Sequence, residues 1–373
     1  MATPGTPGAS TAPSSYTVYY DNLLSTTMYA YKKQLFDNIF KDSAFLAYLR
    51  LSDAVQRQNG GERIAMPLMY ETNSTVETHS GYSIIDTTPQ DGITTAFYEW
   101  AEIAGTISIS RREERQNAGE GRILSLLEAK VQQAEMSMTE KLNTDLIQGS
   151  TGGAAGVEFQ QDTADDGNYG LNPLGYFLPE ENSTNAGTLS PGTINRATYS
   201  WWRHNTASLG AGADGDTFNL NVSTFAGMKV GLRRMYNYCS RGTGGSPNLV
   251  VADQLTYETY ENALDTNMRY QNTQMADMGF DTIKLRGATC IWDESVPDIH
   301  AGSATLTNGT AFFINTKFYK LIIDSETDLT TTPFVTPENQ TVRTAKLLFM
   351  GQACVSNMRK HGVCFETSLS IVA

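Results

Sequence analysis

The stretch GERIAMPLMYETNSTVETHSGYSIIDTTPQDGITTAFYEWAEIAGTISIS, residues 61–110, decides how the rest of the chain is read. At its end Ile103, Gly105, Ile107 and Ile109 alternate with Ala104, Thr106, Ser108 and Ser110, which is the period-two pattern of a half-buried strand. A second strand-like arm opens the stretch at GGERIAMPLMY. The middle, residues 72–92, is too long for a tight turn and too polar for a core. Residues 55–110 therefore read as a long protruding loop on two β stems, and ordered loops of that length usually carry function.

Immediately downstream lies Arg111, Arg112, Glu113, Glu114 and Arg115, a charged junction that reads either as a hinge or as a surface ion-pair patch. The strongest helix signal of the chain follows over residues 120–148. Ile123, Leu127, Val131, Ala134, Met138, Leu142 and Leu146 recur at spacings of three and four and form one stripe. Such a helix is about 40 Å long at 1.5 Å per residue, long enough to act as a spine. Glu120 suits its positive start and Gly149 its stop.

Upstream, residues 1–15 are Pro, Gly, Ala, Ser and Thr and cannot bury an apolar core; residues 29–51 suggest short helical pieces with a cap near Asp42 and Ser43. Downstream, residues 150–190 are rich in Gly, Ser, Thr, Asn and Asp. A mixed pattern then runs to residue 324: a helix over 224–238, a buried strand at 248–252, a helix capped by Asp253, and strands at 283–292 and 311–324. Strand-like composition dominates the end. The expected division is 1–54 tail and arm, 55–110 extended loop, 111–149 spine helix, 150–324 a mixed α/β domain, and 325–373 returning β strands, an α+β chain overall.

The 373 residues suffice for one large or two medium domains, and 40% apolar against 18% charged residues fits a globular fold. A net charge of -13 works against gripping free nucleic acid unless one face is locally basic. The four cysteines lie far apart with no CxxC pair, which argues against a disulfide framework or zinc ribbon, and His361 between Cys354 and Cys364 is a weak zinc candidate. The N-terminus lacks a signal-peptide pattern, and no apolar run approaches the length of a membrane span. There is no GxSxG, P-loop or HExxH motif. The glycines of 149–156 lack a phosphate-binding context, and DTADDGN (162–168) lacks the calcium-loop acid at its twelfth position, where Pro173 stands. Trp201 and Trp202 read as a packing anchor before a stacking platform. No catalytic, metal or cofactor site is expected, and the chain reads as a non-enzyme.

The order of parts, tail, arm, strand-stemmed loop, spine helix, α/β domain and final β segment, resembles the major capsid proteins of tailed bacteriophages with the Hong Kong 97-like fold. The strings YYDNLLSTTMYAYKKQLFDNIF, GGERI, DTTPQDGITTA, AEIAGTISIS, LLEAKVQQAE, NRATYSWWR, GFDTIKLRGA, FFINTKFYKL and MGQACVSN carry the resemblance over most of the chain. It implies an icosahedral head, pentamers and hexamers around double-stranded DNA, with the loop reaching over a neighbour, a peripheral domain around the spine and an axial domain over 150–324. It also implies portal and decoration partners and no membrane. The short tail leads us to expect a separate scaffolding protein. An encapsulin-type compartment is the nearest alternative, and a cytoplasmic ligand-binding or hydrolytic α/β protein is a more distant one.

Residues 58–100 hold Glu62, Glu71, Glu77, Asp86, Asp91 and Glu99 against Arg63 alone, a net -5, whereas 341–361 holds Arg343, Lys346, Arg359 and Lys360 without an acid, a net +4. Complementary segments of this kind set docking register more than affinity. The loop is expected against a neighbour's basic surface, the competing destination of those cations being packaged DNA. Some shells of the resembled fold are cross-linked through a loop lysine. Here no lysine occurs between Lys41 and Lys130. Assembled particles boiled in denaturant should therefore run as monomer on a gel, and a surviving high-mass ladder would contradict this reading.

Overall fold

The computed structural model describes residues 43–116, 126–149, 170–179, 190–209, 217–220, 222, 224–264, 283–296, 309–338 and 340–365. The expected tail, most of the arm, the first turns of the spine helix and the 162–168 run lie outside them.

The elements in chain order are α1 (Ala44–Leu51), β1 (Val55–Gln58), β2 (Ile64–Met69), β3 (Ile93–Tyr98), β4 (Ala101–Ser110), α2 (Arg111–Gln116), α3 (Leu126–Ile147) and the single turn α4 (Leu174–Phe177). The chain continues with β5 (Asn205–Ser208), β6 (Phe218–Asn219), α5 (Phe225–Cys239), β7 (Leu249–Ala252), α6 (Gln254–Ala263), β8 (Ile283–Leu285), β9 (Ala288–Trp292) and β10 (Ala311–Ile314). It closes with β11 (Tyr319–Asp324), β12 (Thr330–Thr331), β13 (Val342–Val355) and β14 (Gly362–Phe365). Two compact units emerge among the described residues, a smaller one from 104–116, 126–138, 331–338 and 340–347 and a larger one from the rest. Each of β4, α3 and β13 begins in one unit and ends in the other.

The larger unit is built on a seven-stranded mixed sheet in the order β6-β5-β14-β10-β7-β9-β8. Its central strands β7 and β10 are buried at every position, as continuous apolar runs require when both faces are covered. Helices α5 and α6 cover one face with Met228, Leu232, Met235, Tyr257 and Tyr260. Both helices start as the sequence indicates: Thr224 accepts from Gly227 N, and Asp253 accepts from Thr256 N. The 311–324 stretch does not form one strand pair. Its Asn315–Lys317 corner sends β10 into the seven-stranded sheet and β11 into a second sheet, where β11 lies parallel to β1 and antiparallel to β13. The final strand β14 pairs with β10 and β5, so the last described residues join the sheet of the 205–314 region.

The smaller unit contains the buried Ile107, Ile109, Leu126, Met138, Ala345 and Leu347. Strand β4 alternates as its sequence dictates, with Ile107 and Ile109 inward. A capping box starts α2: Arg112 N donates to Ser110 Oγ at 3.3 Å and Ser110 N donates to Glu113 Oε2 at 3.2 Å. Lys130 joins the same carboxylate at 3.2 Å.

Helix α1 takes its cap from far away. Ser43 makes no side-chain cap bond; Phe45 N donates instead to the buried Asp293 Oδ2 at 3.1 Å. Asn143 of α3 donates to both Asp293 oxygens at 3.0 Å and accepts from Leu46 N at 3.3 Å, while Ser295 N donates to Oδ1 at 2.9 Å. Burial still pushes the Asp293 carboxyl up. Asn143→Leu keeps the branched shape but removes the amide that donates to Asp293 and accepts from Leu46 N. It should cost about 3 kcal/mol in chemical unfolding, and a loss under about 1 kcal/mol would contradict the bolt.

His361 is buried, and its Nδ1 accepts from Asn315 N at 3.3 Å, so the ring proton sits on Nε2. Burial lowers its pKa from 6.5 to about 3, and His204 shifts the same way. The unfolded chain takes up a proton below pH 6.5 that the folded chain refuses, so stability is full above that pH and falls on acidification. The loss attributable to His361 should approach about 1.4 kcal/mol per pH unit, and His361→Gln should flatten the slope measured by thermal unfolding between pH 6 and about pH 4.

Candidate inter-subunit surface

The reaching loop is carried by the hairpin β2–β3, with register from Ile64 opposite Tyr98 to Met69 opposite Ile93. Alternation turns Ile64, Leu68, Ala96 and Tyr98 inward and leaves Met69, Ile93 and Phe97 outside. Tyr98 Oη donates to Val355 O at 2.7 Å, and Tyr70 stacks on Trp201 at 5.1 Å. Gly192, at φ +67°, lies so close beneath the stem that an added Cβ would stand 2.7 Å from Ala96 Cβ. Trp202 is buried and its Nε1 donates to Pro191 O at 2.9 Å, so the tryptophan pair divides its work: one anchors a turn, the other supports the stem.

Beyond Met69 the chain has no strand until Ile93, and residues 71–90 are exposed almost throughout. Their hydrogen bonds stay inside the loop. Tyr70 Oη donates to Asp91 O and Ser74 Oγ to Gln90 Oε1 across its base, and Asn73 and Asp86 each close a turn onto the residue two ahead. The Thr88 hydroxyl and N–H hold the Asp86 carboxyl below its usual range. The side chains are not uniformly polar. Val76 is 81% exposed, Ile84 92%, and Tyr82 and Ile85 are exposed with them. Apolar side chains held on a protruding loop with no core beneath mark a contact surface for something absent from the monomer.

Of the acidic residues expected there, Glu62, Glu71, Glu77, Asp86 and Asp91 are exposed, whereas Glu99 pairs with Arg63 at 2.8 Å in the stem. The expected basic partners are divided between the two units. Arg343 and Lys346 belong to the smaller unit, where Arg343 pairs with Glu114 at 3.0 Å. Arg359 is exposed in the larger unit. Lys360 is corrected outright: it is buried, and its Nζ donates to the carbonyls of Arg241, Gly242 and Gly245 at 2.9, 3.1 and 3.2 Å. An ammonium spent on three carbonyls cannot dock a neighbour. Of the junction residues, Arg111, Arg112 and Arg115 are exposed, Glu113 is buried, and Glu114 is half-buried. The Cys354, His361 and Cys364 zinc idea also fails, because His361 Nδ1 already serves a backbone N–H and no metal-ligating cluster occurs among the described residues.

The sequence reading missed a second surface. Around the C-terminal end of α5, Arg241 lies 3.8 Å over the Tyr238 ring, Arg234 lies 4.8 Å over Phe218, and Arg286 donates to Asn237 Oδ1 at 2.6 Å. Its signal was the absence of acids from 225–248, 283–292, 311–323 and 356–365, four segments apart in sequence.

No protein-family model matches the chain, and neither does any curated protein sequence. Solved structures do. The capsid asymmetric unit of Cyanophage A-1(L) aligns with a TM-score of 0.61 at 16% identity, covering 91% of this chain and 96% of that one. The capsid of a native GTA particle aligns at 0.54 and 12% identity over 89% and 93%, and the capsid of Myoviridae Phage XM1 at 0.51 and 11% over 90% and 95%. At such identities the shared property is architecture, and it extends over nearly the full length of both chains: the chain has the fold of phage capsid proteins.

Proposed function

We propose that the chain is a major capsid protein, a structural and non-enzymatic subunit that assembles with its own copies into the pentamers and hexamers of an icosahedral phage head enclosing double-stranded DNA. The single observation that carries this is the 70–92 loop, whose Val76, Tyr82, Ile84 and Ile85 stand exposed with nothing to pack against among the described residues. Closed shells need head-to-tail contacts repeated around symmetry axes, and an element that reaches onto a neighbour supplies them. Full burial of each of those side chains would contribute about 1.5–3 kcal/mol, and many modest contacts per subunit add up through avidity. The fold shared with phage capsids supports the same reading.

In this reading β2, β3 and the loop are the reaching arm, α3 is the spine of a peripheral domain, and the seven-stranded sheet forms the axial domain. The capping box and ion pairs at Arg111–Gln116 lie where the arm meets the spine, the place where a shell rearrangement would be felt. A scaffolding protein, a portal and a decoration protein complete the proposed partners, and the virion is the proposed location. No helix of the described residues is long and apolar enough to cross a membrane.

The test is assembly itself. The Ile84→Asp/Ile85→Asp double variant changes only exposed positions, so its thermal unfolding should match that of the parent chain. In negative-stain microscopy and size-exclusion chromatography it should yield subunits or capsomers in place of particles. Full particle yield from this variant would remove the loop from the interface.

A further inference from the structure

We propose that the face around the C-terminal end of α5 binds the sugar-phosphate backbone of duplex DNA, with Arg234, Arg241 and Arg286 as its central contacts. Arg233, Lys317 and Arg359 extend the same surface. This deepens the container reading by naming where the contents touch the wall, and it rests on that reading only for the biological source of the DNA.

Several independent features meet here. Asn237 holds Arg286 by a hydrogen bond, and the neighbouring Arg234 and Arg241 lower the Tyr238 phenol pKa. Phe218 and Tyr238 stack at 5.4 Å, so the two guanidinium planes lie on a continuous aromatic support. Asn205 Nδ2 donates to Cys239 Sγ and to Arg359 O, tying the Arg359 turn to the last residue of α5. Phe318, with Lys317 beside it, packs so closely on Gly244 that an added Cβ would meet its ring at 2.6 Å. The 241–245 loop is fastened from beneath by the Lys360 ammonium.

Among the described residues no carboxylate neutralises these cations. Arg57, Arg63, Lys130 and Arg343 each face a carboxylate within 3.2 Å. Among the described residues none of Arg233, Arg234, Arg241, Arg286, Lys317 and Arg359 has an ion-pair partner, and the four segments that supply them contain no acid. In a chain of net charge -13 this is the locally basic face that the average conceals. Like charges fixed close together repel, and an external polyanion removes that cost. Arginines held over aromatic rings retain N–H donors for bidentate recognition of phosphate oxygens.

The other candidate occupant is the acidic loop of a second copy. Its carboxylates could pair some of the guanidinium groups, but its exposed Val76, Tyr82, Ile84 and Ile85 lie between Glu71 and Asp91 and would strip water from the others without pairing them. A phosphate backbone brings charge without that apolar load, and DNA is the occupant we assign.

The experiment measures binding of a short duplex DNA to the purified protein by fluorescence anisotropy across a salt series. Arg234→Gln/Arg241→Gln/Arg286→Gln should weaken binding at least tenfold and reduce the slope of log affinity against log salt by about 2.7, at roughly 0.9 per lost phosphate contact. The conservative Arg234→Lys/Arg241→Lys/Arg286→Lys variant should keep most of the slope, and Arg57→Gln/Arg63→Gln should leave it unchanged. Thermal unfolding of all variants reports the fold. An unchanged slope in the triple Gln variant overturns the proposal. So does a parent chain that ignores DNA but binds a peptide of residues 70–92. Particle formation, read separately by microscopy, tells the two claims apart: assembled particles with lost DNA binding sustain both, and a parent chain that never assembles removes the container reading alone.

Discussion

A carboxylate removed from water must be surrounded by donors, and Asp293 meets that demand with its near neighbour Ser295 and with groups drawn from two distant parts of the chain. Phe45 N comes from the first turn of α1, Asn143 from the last turns of α3, and Ser295 from the loop after β9. No single donor set from one region would suffice. The bond network therefore fixes the start of the described chain, the end of the spine and the edge of the central sheet to one another. Gln352 repeats the device one layer away: its Oε1 accepts from Asn172 N and Ala353 N, and its Nε2 donates to Glu99 O and Gly170 O. The stem of the reaching hairpin is thereby tied to β13.

These internal bolts explain how the loop can be what it is. A segment of some twenty residues with no core of its own stays defined only if its stem is rigid, and Tyr98, Trp201 and the close approach of Gly192 make it so. The loop can then expose isoleucines and a tyrosine that a self-contained domain would bury. The same division holds for charge. Buried or paired cations such as Lys360, Lys130 and Arg63 serve the subunit, whereas those around the end of α5 are left open to the outside.

Wherever one local period governs a segment, the sequence told its structure correctly. The alternation of β4, the Thr224 and Asp253 caps, the Gly149 stop at φ +74° and the buried run of β7 all followed from neighbours in the chain, whereas of the described stripe positions of α3 only Met138, Leu142 and Leu146 are buried. The capping box at Ser110 and Glu113 was legible by spacing but hidden inside a charge cluster. The candidate surfaces were read less well. The loop was found because its length and polarity are local properties, but its apolar tip residues were overlooked beside its acids. Lys360 looked like a free cation because sequence shows charge and not burial.

What the sequence by itself determined is the order of parts: an arm, a stemmed loop, a spine helix, a mixed α/β region and returning strands, since each rests on periodicity and caps within a short window. What only the tertiary structure decided is which residues meet across the chain. The split of β10 and β11 between two sheets, the joining of β14 to β5, the cap lent by Asp293 and the gathering of arginines around α5 all depend on contacts 28 or more residues apart. The physical reason is that hydrogen bonding and burial are satisfied by whatever lies nearby in space. A linear pattern records the demand of each residue but not the residue that will meet it.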